Sequence, residues 1–540
     1  AGNSGEANQG ASSITQQLAR NAYDLKIRAK ARNEGSFGRK FVEIALARRI
    51  TERYSKEQVL EFYINRVYFG SGFYGIRSAS LGYFGKEPAD LTTREAASIA
   101  ALIKNPNGLS PLNNKEGNLK RRNHVHHRMA REKYITPEEA QPLTSMDLGL
   151  NPKPLKRGVS HIYDRIYAEI TAYLGEERVN AAGLRIYTTI DKKLQDATGK
   201  ALSQALENIE KRPGYSHQKA ADYDRFSGGK PRYLEGAVLM VDNQSGAVLA
   251  YHGGRNHTNR QYDVIKEGAR PTGTAILPFL YAAAFDTGKS PVTRILDDAI
   301  DNRLTGIGGS EGILGEWGAE SSRNRYEGMI TAHRGLAASK IAASLRMGMD
   351  MGTAPFIKKL ADFGIRKPVR EAGSTEVNPV YRPKIFVGTE PASLTEKTLA
   401  YTAIPNGGSR TEIIYYLDRI EDVEGRLIWE STQAIETRNN AQVRKGAAST
   451  ATAFQLHNIL HSSLKNGSAQ RVADSLPGNF KGGVKTGTTY DFGDNWLFGY
   501  DDRVTCGIWI GFLEGKKPIY NGAFSSDTCA SILVTAFKES

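Results

Sequence analysis

The sequence predicts a multidomain protein: an all-helical N-terminal domain over residues 1–150, a connector over 151–234, and an α+β domain with an antiparallel sheet over 235–540. Three observations predict it. Capping boxes pair Ser55 with Gln58, Thr92 with Glu95 and Thr136 with Glu139, all before residue 150. The cluster Asn151-Pro152-Lys153-Pro154 then breaks the pattern, and alternating apolar residues first appear beyond it, at Leu184, Ile186 and Tyr187. Farther along come two strand–turn–strand patterns. A chain of 540 residues has room for three to four units of about 150 residues.

In the N-terminal part, Pro137 follows Thr136 at a first helical position, where its missing N–H costs nothing. Phe41, Ile44 and Ala45, with Val42, Leu46 and Ile50, predict an amphipathic helix over about 39–53 with those residues as its apolar face. In the C-terminal part, 235–241, the turn Asp242-Asn243-Gln244-Ser245-Gly246 and 247–251 read as one hairpin. Residues 495–500, Asp501-Asp502-Arg503 and 504–512 read as a second. Helices are expected at about 278–286, 333–347 and 448–465. No repeat, no low-complexity segment and no run of about 18 apolar residues occurs. Two cysteines exclude a disulfide-rich scaffold and a four-cysteine zinc site. Cys506 alternates with Val504, Ile508 and Ile510, and Cys529 falls on a C-terminal amphipathic helix, so both read as core residues. An extracytoplasmic location would permit a bond between them.

Lys and Arg number 72 against 58 Asp and Glu, a net charge of +14, which favours anionic partners. Basic residues crowd positions 20 to 53, and a second cluster runs Lys120, Arg121, Arg122, Arg128, Arg131. Aromatics that would stack on bases are scarce among them, so phosphate or a lipid headgroup is expected and nucleic acid is not. His124, His126 and His127 do not converge on one point of a helix, and no metal ligands are assigned.

Within that basic field, Arg39 and Glu43 lie one helical turn apart with Lys40 beside them. Gly10-Ala11-Ser12-Ser13-Ile14-Thr15-Gln16-Gln17 precedes them. Lys56 to Asn65, Tyr68-Phe69-Gly70 and Arg121…Val125…Met129 follow. In order and spacing these motifs resemble the second to fifth motifs of the peptidoglycan glycosyltransferase family, the N-terminal half of class A penicillin-binding proteins. Ser13 stands where Thr is usual. The resemblance implies a lysozyme-like helical fold that polymerises lipid II into glycan strands. It implies that Glu43 assists departure of the pyrophosphate. Ser12, Gln16, Gln17, Arg39, Lys40, Lys56, Asn65 and Arg121 would bind lipid II and its pyrophosphate. Cations preorganised around a leaving diphosphate stabilise its growing charge. A divalent cation, Mg or Mn, is used by such enzymes, and no tightly bound cofactor is expected. The family's general-base glutamate lies in a first motif that has no counterpart in residues 1–9, where Glu6 lacks the motif around it. The natural protein is therefore expected to carry that motif and a membrane anchor upstream.

Lys485-Thr486-Gly487-Thr488 precedes the second hairpin and resembles the third motif of penicillin-binding transpeptidases, whose Lys and Thr bind the substrate carboxylate. Residues 183–191 look like the family's strand leading into that unit. Arg270 to Phe279 occupies the place of the first motif, which puts Thr274 at the nucleophile position and Leu277 at the lysine position. Ser339-Lys340-Ile341 occupies the second, with Ile341 in place of asparagine. A leucine cannot accept an alcohol's proton, so the resemblance implies a penicillin-binding α+β fold with a degenerate site at Thr274, Ser339, Lys485, Thr486, Gly487 and Thr488. Ser462…Lys465, Ser227…Lys230 and Ser322-Arg323-Asn324 are read as chance matches.

The expected protein is a glycan-strand polymerase on the extracytoplasmic (periplasmic) face of the inner membrane. Its expected partners are lipid II, nascent peptidoglycan, the membrane surface and other wall-synthesis proteins. Three alternatives stay open: a bifunctional enzyme with an unfamiliar nucleophile, such as Thr274 assisted by Lys340; a non-catalytic organiser of wall synthesis; and a nucleic-acid-binding protein, which rests on charge alone.

Overall fold

The computed structural model describes all residues except 1–11, 23–35, 72, 74, 152–159, 181–183, 225–229, 301–325, 366–382, 423–424, 433, 436–443, 490 and 515–516. The readings for Glu6, Gly10, Ala11, residues 152–154, Gly183, Ser227 and residues 322–324 lie outside the described residues. The chain divides into two compact units, the first centred on residues 1–158 and the second on 186–420 and 427–540.

The first unit is helical. Each of the three capping boxes starts a helix: Lys56–Ile64, Thr93–Leu102 and Pro137–Ser145. Leu18, Val59, Tyr63, Phe69, Tyr83, Phe84, Ile99 and Leu102 form its core. The helix expected over 39–53 spans Ser36–Arg53, but only part of the marked face turns inward: Leu46 and Ile50 are half-buried, Ile50 against the core, on the side of Glu43 and Ala47. Phe41 is 72% exposed, and Val42 and Ile44 are nearly half exposed, whereas Glu43 is fully buried and Ala47 nearly so. The reason is electrostatic. Ile14–Ala22 packs on this helix through an ion cluster around Glu43, and that cluster decides which side faces inward. Arg122 also departs from the solvated cluster it was counted in. It is buried, and its guanidinium donates to the carbonyls of Met146 and Asp147 at 2.8 Å, closing the end of the Pro137–Ser145 helix.

The second unit is built on a five-stranded antiparallel sheet. Its strands are β1 (Glu235–Asp242), β2 (Val248–His252), β3 (Gly483–Thr488), β4 (Asp494–Tyr500) and β5 (Val504–Gly511), in the order β3-β4-β5-β1-β2. Both expected hairpins are present, with Val238 opposite His252 and Asn495 opposite Ile510. Every residue of β4 and β5 is buried, because both sheet faces are covered. On one face Leu497, Val484, Ile508 and Met240 pack with Leu202, Leu206 and Leu533. On the other, Phe498 stacks on Tyr401 with ring centroids 4.5 Å apart. The helix Lys192–Glu210 supplies Leu202 and Leu206, so part of the 151–234 stretch read as a connector belongs to this core.

The helices expected at 278–286 and 448–465 are Leu277–Asp286 and Thr450–Asn466. The one expected over 333–347 is two, Ala332–Ala337 and Ile341–Met351, broken where Ser339 takes φ +58°. Cys506 and Cys529 are buried free thiols, and Cys529 sits at the cap of the helix Ala530–Glu539 rather than within it. Burial pushes both thiols up to about 12.

Candidate active sites

Glu43 is the centre of the first site. Arg20 donates to both its oxygens, Nε to Oε1 at 2.8 Å and Nη2 to Oε2 at 2.9 Å. Arg39 Nη1 donates to Oε1 at 2.8 Å and Lys40 Nζ to Oε2 at 3.4 Å. The Arg20 hydrogen bond chiefly holds this carboxyl below the usual carboxylate range, outweighing the opposing effect of burial, with Arg39 and Lys40 adding to it. It is therefore an anion at neutral pH and no proton donor. Three cations meet one carboxylate, which leaves a positive excess suited to a polyanion.

Ser12, Gln16 and Gln17 join this cluster. Lys40 Nζ donates to Ser12 Oγ at 2.7 Å and to Gln16 Oε1 at 3.2 Å, and Gln17 Nε2 donates to the Ser12 carbonyl at 3.3 Å. Tyr63 steadies Gln17 through its hydroxyl at 3.0 Å. Among the described residues, no hydrogen bond or ion pair ties Lys56, Asn65 or Arg121 to it. Lys56 is exposed at the start of its helix, Asn65 caps the end of that helix, and Arg121 keeps Nε buried without a partner. Sequence reasoning missed Arg20 and Tyr63. The signal for Arg20 was its spacing of four from Gln16, which puts both on one helix face.

The described residues of this cluster do not fit a resident divalent cation. Glu43 is already saturated by its three cations, and among the described residues no group of three or more His, Cys, Asp or Glu could hold an ion. His126 is buried, while His124 and His127 are exposed.

The second site is a cavity of about 320 Å³ lined by Thr274, Ser339, Lys340, Ser468, Thr486 and Thr488 among others. β3 is an edge strand, and it presents Lys485 to Thr488 toward the turn Gly273–Ile276. Gly273, at φ +53°, could carry no side chain, since a Cβ would lie 2.4 Å from the Thr488 carbonyl oxygen. Gly487 faces a similar limit, 2.5 Å from the Ala275 Cβ. Thr274 Oγ1 donates to the Thr486 carbonyl at 3.3 Å and accepts from the Thr488 N–H at 3.4 Å. No amine reaches it among the described residues. Leu277 is fully buried, and Lys340 turns away to Asp297 at 3.2 Å and Glu327 at 3.3 Å. The pairing of Thr274 with Lys340 is therefore not realised.

Lys485 is buried, with Nζ 2.6 Å from Ser339 Oγ and 2.5 Å from the Thr486 carbonyl. Burial pushes its ammonium down to about 7. Thr486 Oγ1 donates to Ser468 Oγ at 2.6 Å, which lies 3.0 Å from Ser339 Oγ. Ser462, read as a chance match, bonds His333 near the end of Thr450–Asn466.

A helical unit with a cation-ringed glutamate, followed by a sheet whose edge strand carries Lys-Thr-Gly-Thr beside a helix-starting threonine, defines a class A penicillin-binding architecture. Residues 1–130 match the family model "Transglycosylase", and residues 236–526 match "Penicillin binding protein transpeptidase domain". The chain belongs to the penicillin-binding protein transpeptidase domain family, with a transglycosylase domain ahead of it. It is 28% identical to penicillin-binding protein 2D of Bacillus subtilis, over 93% of this chain and 66% of that protein. It is also 28% identical to penicillin-binding protein 1A of Neisseria lactamica, over 95% and 72%. The chain thus spans about two thirds of the Bacillus relative's length. The crystal structure of penicillin-binding protein 1A from Haemophilus influenzae shares the fold, with a TM-score of 0.66, 20% identity, and coverage of 90% of this chain and 86% of that one.

Proposed function

We infer that this protein polymerises lipid II into glycan strands, with Glu43 and its ring of cations receiving the departing diphosphate. The observation that carries this reading is the buried Glu43 carboxylate held by Arg20, Arg39 and Lys40. The carboxylate fixes the three cations in place before reaction, so no reorganisation is needed as charge builds on the leaving group. Its depressed pKa keeps it from acting as an acid, and its role is to position those cations. Any divalent ion travels with the substrate's diphosphate.

The exposed Phe41, Val42 and Ile44 beside this cluster suit a membrane surface, where a polyprenyl-linked substrate resides. Among the described residues no helix is long and apolar enough to cross a membrane. The proposed location is the extracytoplasmic face of the inner membrane, in company with nascent peptidoglycan and other wall-synthesis proteins.

The C-terminal domain receives stem peptides in the cavity along β3, through Lys485, Thr486 and Thr488. Acylation at Thr274 is lost, because Leu277 supplies no base. The test is glycan chain growth from lipid II by the full-length protein. Glu43→Gln is expected to abolish it, and undiminished growth in that variant overturns the reading.

A further inference from the structure

We propose that Ser339 and Lys485 form a nucleophile–base pair that accepts an acyl group from a peptide amide or strained lactam in this cavity. The proposal rests on the reading that the cavity receives stem peptides, and it moves the reacting hydroxyl from Thr274 to Ser339. Ser339 lines the cavity, and Lys485 stands behind it at 2.6 Å. Among the described residues no carboxylate pairs with Lys485, whereas Lys340 is held by two. Near neutral pH a large share of Lys485 is therefore the free amine, able to take a proton. Nζ donates to both the Thr486 carbonyl and Ser339 Oγ, and as the free amine it would keep the first bond and turn its lone pair to Ser339 Oγ.

The backbone supplies an independent observation. Ser339 is a non-glycine residue at φ +58°, placed in the break between Ala332–Ala337 and Ile341–Met351. It is the left-handed residue that closes Ala332–Ala337, with the Ser339 N–H bonded to the Leu336 carbonyl at 3.1 Å and the Lys340 N–H to the Gly335 carbonyl at 2.8 Å. That close ends the helix at the cavity, where Ser339 Oγ meets Lys485 and Ser468.

The step balances without an oxidant or a metal. Ser339 Oγ bonds to the acyl carbon while its proton passes to Lys485 Nζ. The carbon–nitrogen bond breaks, and the leaving nitrogen takes that proton from Lys485. An ester on Ser339 remains. Water or an amine then attacks the ester, and its proton returns to Ser339 Oγ through Lys485. The charged and titratable groups on the surrounding elements are Lys340 with Asp297 and Glu327, His333 and Arg334, Arg471 with its partner Asp527, His457, His461 and Lys465 on Thr450–Asn466, and Asp494 and Tyr500 on β4.

The experiment treats the full chain with a fluorescent penicillin and maps the adduct by mass spectrometry across pH. The expected adduct is on Ser339, forming faster as pH rises through about 7. Ser339→Gly should reduce labelling to background, and glycine suits the backbone at φ +58°. Ser339→Cys keeps a nucleophile and should retain labelling. Lys485→Met should slow it by about 10²–10⁴-fold. An adduct on Thr274, no adduct, or a rate indifferent to pH overturns the proposal. Calorimetric titration with a stem pentapeptide separates this from the underlying reading. Peptide binding without an adduct overturns the Ser339 pair alone, and absence of both overturns the stem-peptide site as well.

Discussion

Arg20 reaches across 23 positions to grip both oxygens of Glu43, at 2.8 and 2.9 Å, while its Nη2 also touches Ser12 Oγ at 3.3 Å. A planar guanidinium can make this two-point contact and an ammonium cannot. Arg20→Ala is therefore expected to slow glycan chain growth about a hundredfold, since a hydrogen bond to a charged group is worth roughly 1.5–3 kcal/mol. Arg20→Lys restores the charge but not the fork, and an intermediate rate is expected. Equal rates for the two variants would show that charge alone matters.

The ring around Glu43 was half legible in the sequence. Arg39, Lys40 and Glu43 are neighbours on one helix, and their spacing declares them. Arg20 comes from another helix, and no local pattern announces a contact made by packing. The same limit explains the shifted buried face of Ser36–Arg53, which keeps Leu46 and Ile50 half-buried. Apolar spacing marked Phe41 and Ile44 as inward, but an ion cluster with a fixed partner geometry outweighed it. In the second unit the hairpins and the edge position of Lys485 were readable from alternation and turn residues. The break at Ser339 was not. Ala-rich text on both sides reads as one helix, and with serine rather than glycine at position 339 no residue type announces the left-handed close that ends Ala332–Ala337 there.

The Thr92 box gives a stability test with a defined sign. Thr92 Oγ1 accepts from the Glu95 N–H, and the Glu95 carboxylate accepts in return from the Thr92 N–H at 2.9 Å while pairing with Lys86. Burial alone would raise the Glu95 carboxyl, but the Thr92 N–H and the Lys86 ammonium more than offset it, and the net shift is downward. A depressed folded value means the stabilisation is present above the unfolded pKa and fades as pH falls through the folded one. Thr92→Ala is expected to cost about 1 kcal/mol. The deficit of Glu95→Gln in thermal midpoint should shrink as pH drops below the ordinary carboxylate range. A deficit that grows with acid would contradict this assignment.

Cys506 and Cys529 should be inert in the native protein. Burial raises both thiols to about 12, so almost no thiolate exists at pH 8. An aromatic disulfide reagent is expected to count no thiols under native conditions and two after denaturation. Native reactivity of Cys506 would mean that the sheet opens at β5, and of Cys529 that the start of the helix Ala530–Glu539 lifts from the core.

Lys340 offers the sharpest test of packing around the second site. Its Nζ lies 3.2 Å from Asp297, a side chain with no exposure, and 3.3 Å from Glu327. Removing one partner of a buried pair strands the other charge, so Lys340→Met is expected to destabilise the second unit by about 3–5 kcal/mol. Adding Asp297→Asn removes the stranded charge and should recover most of that loss, because residues in contact do not act additively. The comparison uses denaturant midpoints of the single and double variants. If Lys340→Met unfolds at the unaltered midpoint, the ion pair does not hold the loop before Ile341–Met351. If the double variant is as stable as expected and still labels at Ser339, Lys340 is a structural residue and Lys485 alone supplies the base.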